Sequence, residues 1–228
     1  MLVRTAILLL AATLVACSST PERPATYTVK RGDTLYAIAW RHRLDYHDLA
    51  RWNGIGRDYL IYPGQVLRLY PPSKGSARGA PPPKKSTRQA TQPSRPQPSP
   101  ARVASNIKWR WPVEGGSATL TSRPNGGQGL TIAGRRGADI LAAAGGRVVY
   151  TGTGLLGYGQ LVIIKHDDTY LSAYGHTDTV LVKEGQTVAA GQKIATMGAG
   201  PQGTPQLYFE IRVNGSPRNP LALLPQRR

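Results

Sequence analysis

The chain of 228 residues has one cysteine, four histidines and only 12 acidic residues against 29 Lys and Arg, a net charge of +17. A single Cys excludes an internal disulfide framework and any site built from several thiolates. Imidazole and carboxylate remain as metal ligands, and both are scarce. No apolar run reaches the roughly 20 residues that a membrane-spanning helix needs. The length allows one or two domains of about 100–150 residues, and 40% hydrophobic content argues against wholesale disorder. The excess of positive charge leaves nucleic acid, an anionic membrane face or an acidic cell-wall polymer as candidate partners until the charge is located along the chain.

The first residues bear on the compartment. Arg4 precedes the apolar stretch Ala6 to Val15, which is followed by Ala16 and Cys17. A short positive end, a core of about ten apolar residues and a small residue before cysteine form a secretory signal rather than a span. Leu14-Val15-Ala16-Cys17 resembles a bacterial lipobox. The resemblance implies a signal peptide over residues 1–16, cleavage before Cys17, acylation of that residue, and a lipidated start over 17–26. Several acyl chains anchor a protein stably where one would not. Ser18 stands where an Asp would signal inner-membrane retention, so the implied location is the periplasmic face of the outer membrane.

More than half of the net charge lies in one segment, because residues 71–110 carry +9 and no acidic residue. This Pro-, Lys- and Arg-rich stretch has almost no large apolar side chains and cannot offset its own ordering entropy. Residues 71–108 therefore read as a disordered, extended linker that can hold two modules apart. A nucleic-acid arm is the rival reading of such a run, and export argues against it, leaving lipid headgroups and wall carboxylates as weak partners.

The first module, residues 27–70, begins with the strand-like Tyr27-Thr28-Val29-Lys30 and a turn, Arg31-Gly32-Asp33-Thr34. Asp33 or Thr34 can cap a helix from Leu35 to His42, whose Leu35, Ile38 and Ala39 share one face. A second helix is predicted over Tyr46 to Trp52, ended by Asn53-Gly54, and Val66-Leu67-Arg68-Leu69 forms a closing strand. The order is βααβ. Tyr27-Thr28-Val29-x-x-Gly32-Asp33-Thr34-Leu35, Asn53 and Ile61-x-Pro63-Gly64-Gln65-x-Leu67 resemble a LysM domain. That resemblance implies binding of N-acetylglucosamine-containing glycan such as peptidoglycan, through Gly32, Asp33, Thr34, Leu35, Ile61 and Pro63.

The second module, residues 109–228, reads as strands at 146–151, 160–165 and 206–212, separated by glycine-rich turns at Gly185, Gly191 and Gly198. No long amphipathic helix interrupts them. An antiparallel β-sandwich or open barrel is expected, which makes the whole chain α+β and mostly β. Gly157-Tyr158-Gly159-x-x-Val162-x-Ile164-x-His166, Tyr170-x-x-x-Tyr174-x-His176 and Leu207-x-Phe209-Glu210-Ile211-Arg212 resemble a LytM domain of the M23 metallopeptidase fold.

Active members of that family hold zinc through H-x-x-x-D and the second His of H-x-H. Here the late strand reads Gln206-Leu207-Tyr208. Asp139 in Arg135-Arg136-Gly137-Ala138-Asp139 looks like a ligand but belongs to the segment after the zinc motif. Counting back from Gly146 places the motif at Gly127 and Thr131. The resemblance thus implies that Gly127, Thr131 and Tyr208 replace all three ligands, and that His176 alone remains of the five functional positions. One imidazole does not hold zinc unaided. His166 with Asp167 or Asp168 is a poor second candidate, since a strand-end His there is structural in the fold. No metal, cofactor or catalytic residue is expected.

A LysM module, a Pro-rich tether and a metal-free LytM module on a lipoprotein resemble the NlpD-type family of amidase activators. That resemblance implies that the groove of Gly127, Thr131, His176, Gln206 and Tyr208 binds a periplasmic N-acetylmuramoyl-L-alanine amidase and releases its autoinhibition for daughter-cell separation. Two further readings stay open: an active zinc endopeptidase, and a structural wall-binding lipoprotein that activates nothing. Peptidoglycan, the amidase and the outer membrane are the expected partners, with no nucleic acid.

Overall fold

The computed structural model describes residues 24–72, 107–122 and 127–227. Cys17, the signal segment and nearly all of the linker lie outside the described residues.

The N-terminal module is β1 (Thr26–Thr28), α1 (Leu35–His42), α2 (Tyr46–Trp52) and β2 (Val66–Arg68), with β1 and β2 antiparallel in the register Tyr27↔Leu67. Both helices lie over the predicted residues, and each has a side-chain cap. Thr34 Oγ1 accepts the Ala37 N–H at 3.1 Å, and Asp45 Oδ1 accepts the N–H groups of His47 and Asp48. Arg43 ends α1 in the left-handed conformation, with Arg41 and His42 placed favourably at the negative end of the helix dipole. Asn53 fixes α2 to β2: its amide donates to the carbonyls of Leu49 and Arg68, and its Oδ1 accepts the Arg68 N–H at 2.7 Å.

The C-terminal module is an open antiparallel sheet. Its strands are β3 (Ala118–Ser122), β4 (Gln128–Ala133), β5 (Asp139–Leu141), β6 (Gly146–Gly152), β7 (Gln160–Lys165), β8 (Tyr170–Val180), β9 (Thr187–Val188), β10 (Lys193–Met197), β11 (Gln206–Val213) and β12 (Ser216–Arg218). The main path runs β3-β4-β11-β8-β7-β6-β9, with β10 paired to β5 and β8, and β12 to β11. Alternation along β11 sends Leu207, Phe209 and Ile211 to one face, where they join Leu130, Ile132, Val148, Val162 and Ile164 in the larger core. Tyr208, Glu210 and Arg212 take the opposite face.

That opposite face is also buried, and the cover is the N-terminal module. Leu35, Trp40, Tyr46 and Leu49 form one continuous apolar cluster with Tyr150, Tyr158, Leu161, Ile163, Leu171, Ala173 and Tyr208. Burial on both sides explains why β7 reads as the unbroken apolar run Leu161-Val162-Ile163-Ile164 instead of alternating, as a strand with one wet face would. The linker therefore does not keep two modules apart. They pack against each other through one shared apolar cluster.

Polar contacts fix the seam. Arg212 Nη1 donates to the Trp40 carbonyl at 2.8 Å, and its guanidinium lies 3.6 Å from the centre of the Trp40 ring. Arg41 Nη2 donates to the Gly154 carbonyl at 3.1 Å. Tyr46 Oη donates to the Asp168 carbonyl at 3.4 Å, and His47 Nε2 stands 3.8 Å from Asp168 Oδ1.

Candidate functional site

Two groups of residues singled out by sequence are brought together locally. In the N-terminal module, Val29 N–H donates to Gln65 O and Gly64 N–H to Val29 O, both at 2.8 Å, which sets the loop of Gly32 to Thr34 beside that of Ile61 and Pro63. Gly32 has φ +81, and a Cβ there would meet nothing within 4 Å, so the backbone faces open space. Asp33 Oδ2 accepts the Tyr27 hydroxyl at 2.7 Å and the Lys30 N–H at 2.9 Å, and the carboxylate thereby holds the turn. Pro63 is exposed and Ile61 half-buried, whereas Leu35 is fully buried in the core. Backbone groups, Ile61 and Pro63 are thus what this groove offers a ligand.

In the C-terminal module, Thr131 of β4 faces Tyr208 of β11, and Tyr208 faces Gly175 of β8. Thr131 Oγ1 and Thr121 Oγ1 are hydrogen-bonded at 2.9 Å. Gly127 is buried at the start of the same strand edge, and Gln206 and Thr131 are half-buried. His176 follows Gly175 in the left-handed region (φ +60), is 7% exposed, and is held by its N–H to the Tyr158 carbonyl at 2.8 Å. Asp139 lies elsewhere, paired with Lys193 Nζ at 2.6 Å.

Tyr208 does not line the groove with an open surface. Only 2% of it is exposed, because Tyr158 covers it with ring centroids 5.6 Å apart. Gly129 makes the room: a Cβ there would lie 2.9 Å from Tyr208 Oη and 2.5 Å from the Phe209 carbonyl. The phenol fills the centre of this face, and an incoming group meets the rim, Thr131 and Gln206, instead of an empty cleft.

Sequence reasoning missed the network beneath. Glu210 Oε2 accepts both the Tyr158 hydroxyl at 3.1 Å and the Tyr208 hydroxyl at 3.0 Å, while Glu210 Oε1 accepts Arg212 Nε–H at 2.6 Å. Glu210 is 0% and Arg212 2% exposed. The signal available was two charges at alternate positions of an otherwise apolar strand. Such a pattern ordinarily marks a solvated face. Here Arg212 continues to Trp40, so a chain of contacts links Tyr208 to α1 of the other module.

The residues do not fit a catalytic zinc ion, which needs three nitrogen, oxygen or sulfur ligands plus water. Gly127 offers no side chain, Thr131 and Tyr208 offer neutral hydroxyls already in hydrogen bonds, and His176 gives one imidazole. Among the described residues, no group of three or more His, Cys, Asp or Glu is arranged to hold a metal ion.

His166 sits apart from this face. Its Nδ1 is 2.8 Å from the Gly145 carbonyl and therefore carries the proton, leaving Nε2 to accept at Ser172 Oγ, 2.7 Å away. Desolvation is the main cause that lowers its pKa to about 4, with the Gly145 bond and the Asp167 charge opposing it. The unfolded chain, with an ordinary His, binds this proton more readily. The stability contributed is complete above about pH 6.5 and is lost as pH falls towards 4, by about 3 kcal/mol at pH 4. Urea unfolding from pH 7 to 4 should show this slope, and His166→Gln should remove it.

A LysM domain model matches residues 27–69, and a peptidase family M23 model matches residues 125–220. The chain is 39% identical over 264 aligned residues to the murein hydrolase activator NlpD of Escherichia coli, covering 89% of this chain and 68% of that protein. It is 40% identical over 247 residues to the lipoprotein NlpD/LppB homolog of Pseudomonas aeruginosa, covering 93% and 81% respectively. The E. coli lipoprotein YgeR matches at 42% identity over 209 residues, covering 88% of this chain and 81% of YgeR.

Proposed function

Because the chain belongs to the NlpD/LppB family of LysM- and M23-domain lipoproteins, we propose that it is a peptidoglycan-binding activator of a periplasmic N-acetylmuramoyl-L-alanine amidase and does not cleave the wall itself. The carrying observation is the face built on the Thr131–Tyr208 register pair. An M23 domain acts as a peptidase through metal ligands, and these two positions supply hydroxyls. Gly127, Thr131 and Tyr208 stand in for the three zinc ligands of active members. Thr131 and Gln206 form the rim that an amidase segment touches, and Tyr208 and His176 shape it from below. The LysM loops of Gly32, Asp33, Thr34, Leu35, Ile61 and Pro63 hold the glycan, with Asp33, Thr34 and Leu35 setting the loop and the exposed groups making contact. Cys17 carries the lipid that places the protein on the periplasmic face of the outer membrane.

A docking face without metal chemistry binds its partner in chelator. The purified chain and a cognate amidase should associate with a Kd of roughly 1 μM or tighter by calorimetry, unchanged by EDTA, and Gln206→Arg should weaken the complex at least about tenfold. Loss of association in EDTA, with the amidase's own metal retained, argues against this reading.

A further inference from the structure

A cleft of about 440 Å³ lies on the seam between the modules. Tyr36, Arg57, Asp58 and Tyr59 form its wall on the N-terminal side, and Arg147 and Lys165 its wall on the C-terminal side. We infer that this cleft binds a short peptide rich in carboxylates, of the kind that branches from peptidoglycan sugars. The inference rests on the reading of the LysM loops as a glycan groove and extends it to the part of the polymer that is not sugar.

Charge supports an anionic ligand. Arg57 and Arg147 enter no ion pair among the described residues, and both are exposed. Lys165 bonds Asp168 at 2.6 Å and lies over the Tyr46 ring, so it contributes a fixed, partly neutralised positive end. Arginine pairs with carboxylates through two parallel hydrogen bonds, which makes two unpaired guanidiniums from opposite walls a natural clamp. Asp58 is the single acidic residue of the lining, and it suits the one free amine that a diamino-acid peptide carries. Burial, the largest cause, raises the pKa of the Tyr36 hydroxyl, which therefore stays a donor.

Position supports a glycan-linked ligand. Arg57, Asp58 and Tyr59 are in the same loop as Ile61 and Pro63, and Tyr36 directly follows Leu35. Tyr36 and Tyr59 stand edge to face with centroids 5.6 Å apart and give the cleft an aromatic wall. A cleft of several hundred Å³ accommodates a few amino-acid residues. Neither module forms it alone. Only the docked pair would read sugar and peptide together.

The test is titration of the full chain, followed by NMR or calorimetry, with four ligands: an N-acetylglucosamine oligomer, a bare disaccharide, the same disaccharide bearing the stem tetrapeptide, and the free tetrapeptide. The peptide-bearing sugar should bind about tenfold more tightly than a bare disaccharide of the same sugars, and Arg147→Ala and Arg57→Ala should each remove most of that gain while leaving the bare glycan unaffected. Both side chains are exposed, so neither variant should disturb folding. Equal affinity for sugar with and without peptide would overturn the inference, as would a gain that both variants retain. If the bare glycan fails to bind but the tetrapeptide binds in an Arg147-dependent way, the LysM reading falls and the cleft stands.

Discussion

Arg212→Ala is expected to lower the unfolding free energy of the whole body by about 3–5 kcal/mol, because it leaves the Glu210 carboxylate buried without its counter-charge. The two tyrosine hydroxyls that still reach Glu210 soften the loss without cancelling it, since neither brings a charge. The stack on Trp40 and the bond to its carbonyl vanish as well, although that carbonyl keeps the Arg43 N–H at 3.3 Å. Exchanging both partners for apolar residues of similar volume, Glu210→Leu with Arg212→Met, should cost far less, about 1–2 kcal/mol, because no charge is then stranded. Denaturant unfolding of the three proteins distinguishes these outcomes. A single cooperative transition is expected in the parent, since one apolar cluster runs through both modules. Two separate transitions in the parent, with the second indifferent to Arg212→Ala, would show that the modules fold independently.

Much of this was legible in the sequence, for local reasons. The start of the first helix at Leu35 and the end of the second at Trp52 follow from Thr34 and Asn53, residues whose side chains bond to nearby backbone, whereas the Asp45 cap of the second helix emerged only in the structure. The strands at 146, 160 and 206 follow from their composition and from glycines that permit the turns between them. What the chain does with its second apolar face was not legible. The run Leu161 to Ile164 says that both sides of β7 are dry, but it does not say what covers them, and the basic linker pointed to separated modules. Its place in a motif puts Tyr208 in a groove but does not show that its side chain is covered. Tyr158, which buries it, stood in the sequence only as the middle of Gly157-Tyr158-Gly159. The Glu210–Arg212 pair was hidden because alternation cannot distinguish a solvated face from one closed by another module. Contacts between residues 172 positions apart, such as Arg212 to Trp40, leave no periodic trace.

The central claim is a division of labour in which this chain positions and switches while a partner cuts. Its Thr131–Tyr208 face lacks the donors of a metallopeptidase, and a LysM groove is fixed rigidly beside it through Arg212 and Trp40. On the proposed function, rigid docking would place an amidase bound at Thr131 and Gln206 at a set distance from a glycan held at Gly32 and Pro63, converting a diffusive encounter with substrate into a local one. Relief of inhibition and local substrate act on different steps, so their effects multiply, and at least about a tenfold stimulation is expected. The decisive measurement is dye release from labelled sacculi by the amidase alone, by this chain alone, and by both at equal concentration. The account predicts background release from the chain alone and at least about tenfold more from the mixture than from the amidase. Release by the chain alone that EDTA abolishes, or a mixture no faster than the amidase, would contradict it.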